Sequence, residues 1–192
     1  LKDFGWLNQI EHKMQVAMHY VVTNDAKSGL GEVTLPHGKV RIFQDDGRSG
    51  NAFLGEDWGK RTVPGDDMRL FLGLSRDISV KRTVHRNTRE KVEGNLFDQH
   101  VVLRYEFENF KNAPVTVHLH EHLPDVRRQF ARAKGSRAPQ WQIGADTTFP
   151  AAPDARATTM HKVVLQAPLP AATDGKAKPV VLLLHLVFKN EW

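Results

Sequence analysis

The chain has 192 residues, of which 40% are hydrophobic and 26% charged, with a formal net charge of +5 and no cysteine. This composition is typical of a globular protein that buries a sizeable core, and it excludes an intrinsically disordered chain. The lack of cysteine excludes disulfides, thiolate metal sites and thiol nucleophiles, and it fits either a reducing or an oxidising compartment.

The sequence predicts no membrane-spanning helix. The longest apolar run, Val180–Phe188, is interrupted by His185 and is far shorter than the roughly 20 apolar residues that such a helix needs. We expect this run to be a buried strand and His185 to be a core histidine whose hydrogen bonds are satisfied. Because the chain begins at Leu1 without a signal-peptide pattern, we expect a processed chain or part of a longer one.

The predicted elements are mostly strands. Alternating apolar residues in Lys13–Thr23 predict the first strand, and Val40–Gln44 and Ala52–Leu54 flank a turn at Asp45–Gly47 and predict a hairpin. Further strands are predicted at Met68–Leu72, Ile78–Val84, Val101–Asn109, Pro114–His122, Trp141–Ile143, Thr158–Gln166 and Pro179–Phe188. Helices are conceivable only at Leu1–Ile10 and Asp125–Lys134. The pattern predicts an all-β antiparallel sandwich, immunoglobulin-like or related, as one unit or as two packed β-subdomains.

The most informative stretch is Arg104–Pro124, in which apolar and polar residues alternate on both sides of a polar turn at Asn109–Pro114. One face would hold the apolar residues Tyr105, Phe107, Val115, Val117 and Leu119, and the other Arg104, Glu106, Glu108, Thr116, His118, His120 and His122. The alternation predicts a β-hairpin with a core face and a polar face that bears three histidines.

We interpret residues 1–192 as a single β-rich unit, because no change in composition marks a boundary; a division near Lys91–Asn95 is the alternative. Residues 126–138 form a basic connection. Residues 144–192 combine C-terminal strands with two loops rich in Ala, Pro and Asp, at Thr147–Ala157 and Ala167–Lys178, which we expect to be exposed or partly disordered.

Several segments, taken in order, resemble the DUF4139 domain family, which includes the C-terminal part of mucoidy-inhibitor-A-like proteins. The segments are HYVVTNDAKSGLGEVTLPHGKVRIFQDDG, FLGED, LGLSRDISVKRTV, YEFENFKNAPVTVHLHEHLPD and WQI, within residues 12–143. The resemblance implies a β-rich domain, a bacterial extracytoplasmic or periplasmic location and no established catalytic residues. The chain departs from the family pattern in the basic segment before Trp141 and in the Pro-rich loops after it.

The predicted hairpin contains the best candidate metal site. Residues two apart on a strand lie roughly 6.6 to 7 Å apart on one face, so His118 and His120 could bind one ion together with Glu106 or Glu108. Such a site would leave one position open for catalysis by a metal-dependent hydrolase. The alternative, which we favour, is that these side chains form the wet face of a hairpin and that the chain holds no cofactor.

The basic segment is the stronger functional candidate. Residues 126–138 contain five basic side chains and no acidic one: Arg127, Arg128, Arg132, Lys134 and Arg137. Such a cluster suits an acidic protein surface or anionic lipid headgroups, whereas nucleic-acid binders interleave aromatic residues or present a recognition helix, which this segment lacks. A solvated loop is the alternative.

No other motif points to catalysis. The chain lacks a Gly-x-Ser-x-Gly elbow, a Walker loop, a dinucleotide fingerprint and a His-Glu-x-x-His pair, and its Asp-rich turns lack the spacing of a calcium loop. We therefore predict a non-enzymatic interaction module that is a subunit or accessory domain of a larger envelope or membrane-associated assembly. The alternatives are the hydrolase above and the binding of a cell-surface polymer through Trp58 and other exposed aromatic residues.

Overall fold

The structure, a computed structural model, describes residues 12–45, 47, 49–130 and 140–191. The described residues form eleven strands, one α-helix and a short 3-10 turn at Ala26–Ser28. The strands are β1 His12–Met14, β2 Ala17–Thr23, β3 Gly38–Asp45, β4 Asn51–Gly59, β5 Asp67–Leu74, β6 Ile78–Glu93, β7 Leu96–Asn109, β8 Val115–His122, β9 Trp141–Ile143, β10 Lys162–Leu169 and β11 Val180–Glu191, and helix α1 is Leu123–Phe130. The prediction of an all-β, antiparallel sandwich-like fold is confirmed.

The chain divides into two compact units. One is Gln15–Arg76, and the other joins β1 to the residues from Asp77 onward. Composition marks neither boundary, and the candidate boundary at Lys91–Asn95 lies at the turn between β6 and β7. The single strand predicted over Lys13–Thr23 is two strands, β1 and β2, one in each unit.

The unit from Asp77 onward is a sandwich of two sheets. Its larger sheet has the order β1-β6-β7-β11-β9, and its smaller sheet pairs β8 with β10. Alternation along the strands places one set of side chains inward, where fully buried residues such as Leu103, Phe107 and Leu184 form the core. Helix α1 follows β8 directly and buries Leu123 and Val126.

A buried charged group connects the two sheets. Arg82 on β6 donates to the Glu121 carboxylate on β8 over 3.0 Å, and the hydroxyl of Tyr105 on β7 donates to the other oxygen of Glu121 over 2.6 Å. Burial and then the charge of Glu121 raise the pKa of Tyr105 well above its usual range. Burial alone would lower the pKa of Arg82, but the neighbouring Glu121 charge raises it.

The predicted hairpin over Arg104–Pro124 is wrong. Strand β7 pairs with β6 and β11, whereas β8 pairs with β10 in the opposite sheet. The turn at Asn109–Pro114 is therefore a crossover from one sheet to the other. Buried Asn109 holds it, because its amide donates to the carbonyls of Ala113 and Pro170.

The unit Gln15–Arg76 is built from two antiparallel strand pairs. Strand β2 pairs with β5, and β3 pairs with β4, as predicted for that hairpin. Buried Asn24 organises the loops, since its amide donates to the carbonyls of Val33 and Thr62 and its oxygen accepts from the Gly31 N–H. Gly59 lies so close to β5 that a Cβ there would be 2.8 Å from the Met68 sulfur.

Candidate functional site

The unit Gln15–Arg76 exposes far more apolar side chains than it buries. Among its described residues only two large apolar side chains, Met68 and Leu70, are buried. Ten are exposed, namely Tyr20, Val21, Val33, Phe43, Phe53, Leu54, Trp58, Val63, Phe71 and Leu74, whereas the rest of the described chain exposes five. We call these ten side chains the apolar set. Exposed apolar side chains that cluster on one face are typical of a surface that binds a partner, and Phe43 and Phe53 are paired across strands in this way.

Several aromatic members of the apolar set are held in fixed geometry. The indole of Trp58 is 58% exposed, and the His37 ring stacks on it with centroids 5.3 Å apart and an interplanar angle of 12°. The ammonium of Lys39 lies 5.8 Å from the Trp58 ring centroid, within cation–π range. Phe43 and Phe53, cross-strand partners on β3 and β4, meet edge to face at 5.5 Å. These rings are thus ordered although they are exposed.

Polar contacts fix the strands that present these rings. Glu56 pairs with Lys39 at 2.9 Å and with Arg41 at 3.3 Å across the β3–β4 hairpin, and hydrogen bonds from these two cations lower the pKa of Glu56. The carboxylate of Asp57 on β4 accepts from the Phe71 N–H at 2.7 Å and from the Trp58 N–H at 2.8 Å. These backbone donors lower the pKa of Asp57, and the first of them ties β4 to β5.

The basic segment is only partly as predicted. Arg127 turns inward and makes a two-pronged ion pair with buried Glu191, at 2.7 and 2.9 Å, so it is not available to an external partner. Arg128 is 77% exposed by side chain and lies 3.4 Å from Asp125, one turn earlier in α1. Helix α1 ends at Phe130, and Arg132, Lys134 and Arg137 lie outside the described residues.

The candidate ligands of the alternative metal hypothesis do not come together. Glu106 lies in the larger sheet, where Arg104 donates to it over 2.7 Å. His118 and His120 are exposed on the smaller sheet. Because Tyr105 and Glu121 meet between the sheets, Glu106 and the two histidines lie on opposite outer faces of the sandwich. In the part of the chain that the structure describes, no group of three or more His, Cys, Asp or Glu could hold a metal ion.

A second polar group, which the sequence did not indicate, lies on the outer face of the larger sheet. Nδ1 of His100 on β7 is 3.1 Å from Nε2 of His185 on β11. Nδ1 of His185 lies 3.3 Å from an Asp146 oxygen, and Nε2 of His100 lies 3.2 Å from a Glu90 oxygen. Arg86, on β6, forms an ion pair with Asp146. We call Glu90, His100, Asp146 and His185, with Arg86, the histidine cluster.

The histidine cluster is partly closed to solvent. His185 is buried, and a Cβ at Gly144 would lie 2.1 Å from its Nδ1, so the segment that follows β9 packs directly on the imidazole. Burial lowers the pKa of His185 despite the opposing effect of Asp146, and the positive charges of His100 and Arg86 lower it further. His185 is thus buried and has hydrogen-bond partners, as predicted, but it lies on the outer face of the larger sheet and not in the core between the two sheets.

Comparisons with known proteins identify no relative. A scan against models of protein families and searches of curated proteins and of solved structures found no significant match to the chain. The resemblance to the DUF4139 family stays a prediction. Within the part of the chain that the structure describes, the one α-helix, α1, has eight residues and is too short to span a bilayer.

Proposed function

We propose that this chain is a non-enzymatic interaction module, a subunit or accessory domain of a larger assembly, and that residues 15–76 are its principal docking element. The observation that supports this proposal is the imbalance in that unit, which buries two large apolar side chains and exposes ten. Two-stranded hairpins are marginal in water unless another surface covers one face. A partner that covers the rings of Phe43, Phe53 and Trp58 would remove part of this exposed apolar area from water.

The ordered rings support protein recognition. Binding hot spots are enriched in Trp and Tyr, and a ring that is already fixed loses little conformational entropy when a partner covers it. Trp58, Phe43 and Phe53 are held by ring contacts in the free chain. The polar side chains around Trp58, namely Lys39, Arg41 and Glu56, suit the rim of such an interface.

The basic segment is a second contact in this proposal. Arg128 remains exposed after Arg127 is committed to Glu191, and the other three basic residues of the segment follow it in sequence. These charges favour an acidic protein or an anionic membrane surface. The envelope location that the DUF4139 resemblance implies is part of the same proposal.

Site-specific photo-crosslinking in native cells tests the docking element. A photoreactive phenylalanine analogue at Phe43, Phe53 or Trp58 should give one shared crosslinked species. The same analogue at Met160, which is 59% exposed but lies in the other unit, is the matched control and should not give it. Equal crosslinking at Met160 and at the three ring positions would contradict the proposal.

Binding of a cell-surface polymer is the second candidate, and the exposed indole of Trp58 beside charged Lys39 and Glu56 favours it. Under this alternative, Trp58→Ala abolishes binding of the purified chain to envelope polysaccharide without any protein partner. Under the preferred proposal, the same variant loses the crosslinked protein and leaves polysaccharide retention unchanged.

A further inference from the structure

The histidine cluster has no role in the docking proposed above, yet its geometry restricts how many protons it can hold. A neutral imidazole has one N–H and one lone pair, and an imidazolium has two N–H groups. The 3.1 Å contact between His100 and His185 requires an N–H on one ring and a lone pair on the other. The ring pair can therefore hold two or three protons without losing this hydrogen bond, but not four.

With two protons, the cluster has two possible arrangements. If His100 donates to His185, then Nδ1 of His185 can donate to the Asp146 carboxylate, and Nε2 of His100 has a lone pair that faces Glu90. If His185 donates to His100, then Nε2 of His100 can donate to Glu90, and Nδ1 of His185 can accept from the Asp146 N–H over 3.5 Å. In either arrangement a third proton placed on the remaining lone pair faces a carboxylate, that of Glu90 or that of Asp146. The third proton is thus accommodated without loss of the contact between the two rings.

A fourth proton has no such place. It would put an N–H on both facing nitrogens, 3.1 Å apart, and leave two adjacent cations beside the guanidinium of Arg86. Asp146 is already shared with Arg86, and the side chain of Glu90 is 73% exposed, so water screens its charge. Asp98, next to His100 on the same face of β7, is paired with Lys189, so this ion pair adds no net charge beside the rings. Two imidazolium rings at this distance repel each other, and the repulsion favours a conformation in which they lie further apart.

Separation of the rings would displace the segment that covers His185. The Gly144 N–H donates to the His185 carbonyl over 2.8 Å, and the His185 N–H donates to the Thr147 hydroxyl over 3.0 Å. The Thr148 N–H donates to the Leu183 carbonyl over 3.0 Å. Since Gly144 leaves no space above the ring, His185 cannot turn away from His100 while residues 144–148 stay in place.

We propose that the histidine cluster is an acid-sensitive latch, in which uptake of the last proton separates His100 from His185 and releases residues 144–148 from strand β11. At neutral pH the latch is closed and β11 keeps the covering segment. In acid the segment opens at this edge of the larger sheet. The lowered pKa of His185 agrees with a ring that is neutral in the closed form.

The direct test is a titration of the full chain from about pH 8 to about pH 4, which is monitored by NMR of the imidazole signals and by amide hydrogen exchange. Because the 3.1 Å contact couples the two rings, we expect their imidazole signals to change together in two steps, of which the lower one accompanies loss of that contact. Protection of the Gly144 and Thr148 amides, corrected for intrinsic exchange, should fall about tenfold per pH unit through the lower step.

Matched histidine variants separate the latch from general acid unfolding. His100→Gln removes the second ring, so the lower step and the accompanying loss of protection should disappear. His118→Gln, at an exposed histidine on β8, should leave both unchanged. The proposal is overturned if the two rings of the unaltered chain titrate independently, if protection of Gly144 and Thr148 is constant across the range, or if His100→Gln keeps the parent profile.

Discussion

Replacement of Glu121 by Ala tests how the two sheets of the sandwich are held together. Glu121 accepts from the Arg82 guanidinium and from the Tyr105 hydroxyl, and both Glu121 and Tyr105 are buried. The variant would leave a guanidinium that is only 13% exposed without its counter-charge, and a buried hydroxyl without its acceptor. Removing one partner of a buried pair costs about 3–5 kcal/mol.

The size of this effect makes it measurable. Since urea reduces the free energy of unfolding by about 1–3 kcal/mol per molar, we expect the urea midpoint of the unit from Asp77 onward to fall by roughly 2 M. Hydrogen exchange of β6 and β7 peptides during the urea titration assigns the transition to that unit. Tyr105→Phe, which removes only the hydroxyl, should cost about 1–3 kcal/mol.

Glu106→Ala is the matched control for this prediction. Glu106 also pairs with an arginine, Arg104, but on the outer face, where both side chains are about one-third exposed. We expect its removal to cost less than about 1 kcal/mol. If Glu121→Ala were as mild as Glu106→Ala, the claim that a buried charged group links the sheets would be refuted.

Three further predictions concern an ion pair, a buried carboxylate and the effect of metal ions. Arg127→Ala should lower the thermal midpoint because it leaves a buried glutamate unpaired, whereas Arg128→Ala should leave the midpoint unchanged; equal midpoints would contradict the inward placement of Arg127. Burial opposes ionisation of Asp98, but hydrogen bonds from a lysine and a backbone N–H lower its pKa. The stability that ionised Asp98 contributes is therefore fully present above about pH 3.9, and it is lost as the pH falls through the lowered pKa. Asp98→Asn should therefore destabilise the chain more at neutral pH than in strong acid, as thermal melts at both pH values would reveal, and an equal loss at both would refute it. Equimolar zinc or nickel should not raise the melting temperature; a rise of several degrees that His118→Ala and His120→Ala abolish would restore the metal hypothesis.

Local sequence patterns predicted much of the fold. The β3–β4 hairpin was predictable because its turn, at Asp45–Gly47, is specified by neighbouring residues: the Gly47 N–H bonds to the Asp45 carboxylate, and Gly47 adopts a positive φ of 70°. The alternation over residues 104–122 also identified inward and outward side chains correctly, since Tyr105 and Leu119 are buried and His118 is exposed.

Alternation does not determine which sheet a strand joins, and this is why the second hairpin was predicted wrongly. A short polar turn between two alternating strands fits a hairpin or a crossover between sheets equally well. The choice here depends on β10 and β11, which lie far along the chain and pair with β8 and β7. The metal hypothesis, which needed Glu106 or Glu108 on a strand paired with that of His118 and His120, depended on the same choice.

The histidine cluster and the commitment of Arg127 were unpredictable for a related reason. His100 and His185 are separated by 85 residues, and Arg127 and Glu191 by 64, so no local spacing connects either pair. The apolar set was also hidden. Its residues alternate with polar residues along the strands, as the residues of a buried core do. Only the structure shows that these side chains stay exposed.

The central claim is that a partner covers residues 15–76. Hydroxyl-radical footprinting of the purified chain and of the assembly from its native source measures this directly, because side-chain oxidation reports solvent access. We predict that Trp58 and Phe53 are oxidised several-fold less in the native assembly, while exposed Met160 in the other unit is oxidised equally in both samples. Equal oxidation of Trp58 and Phe53 in the two samples would contradict the account.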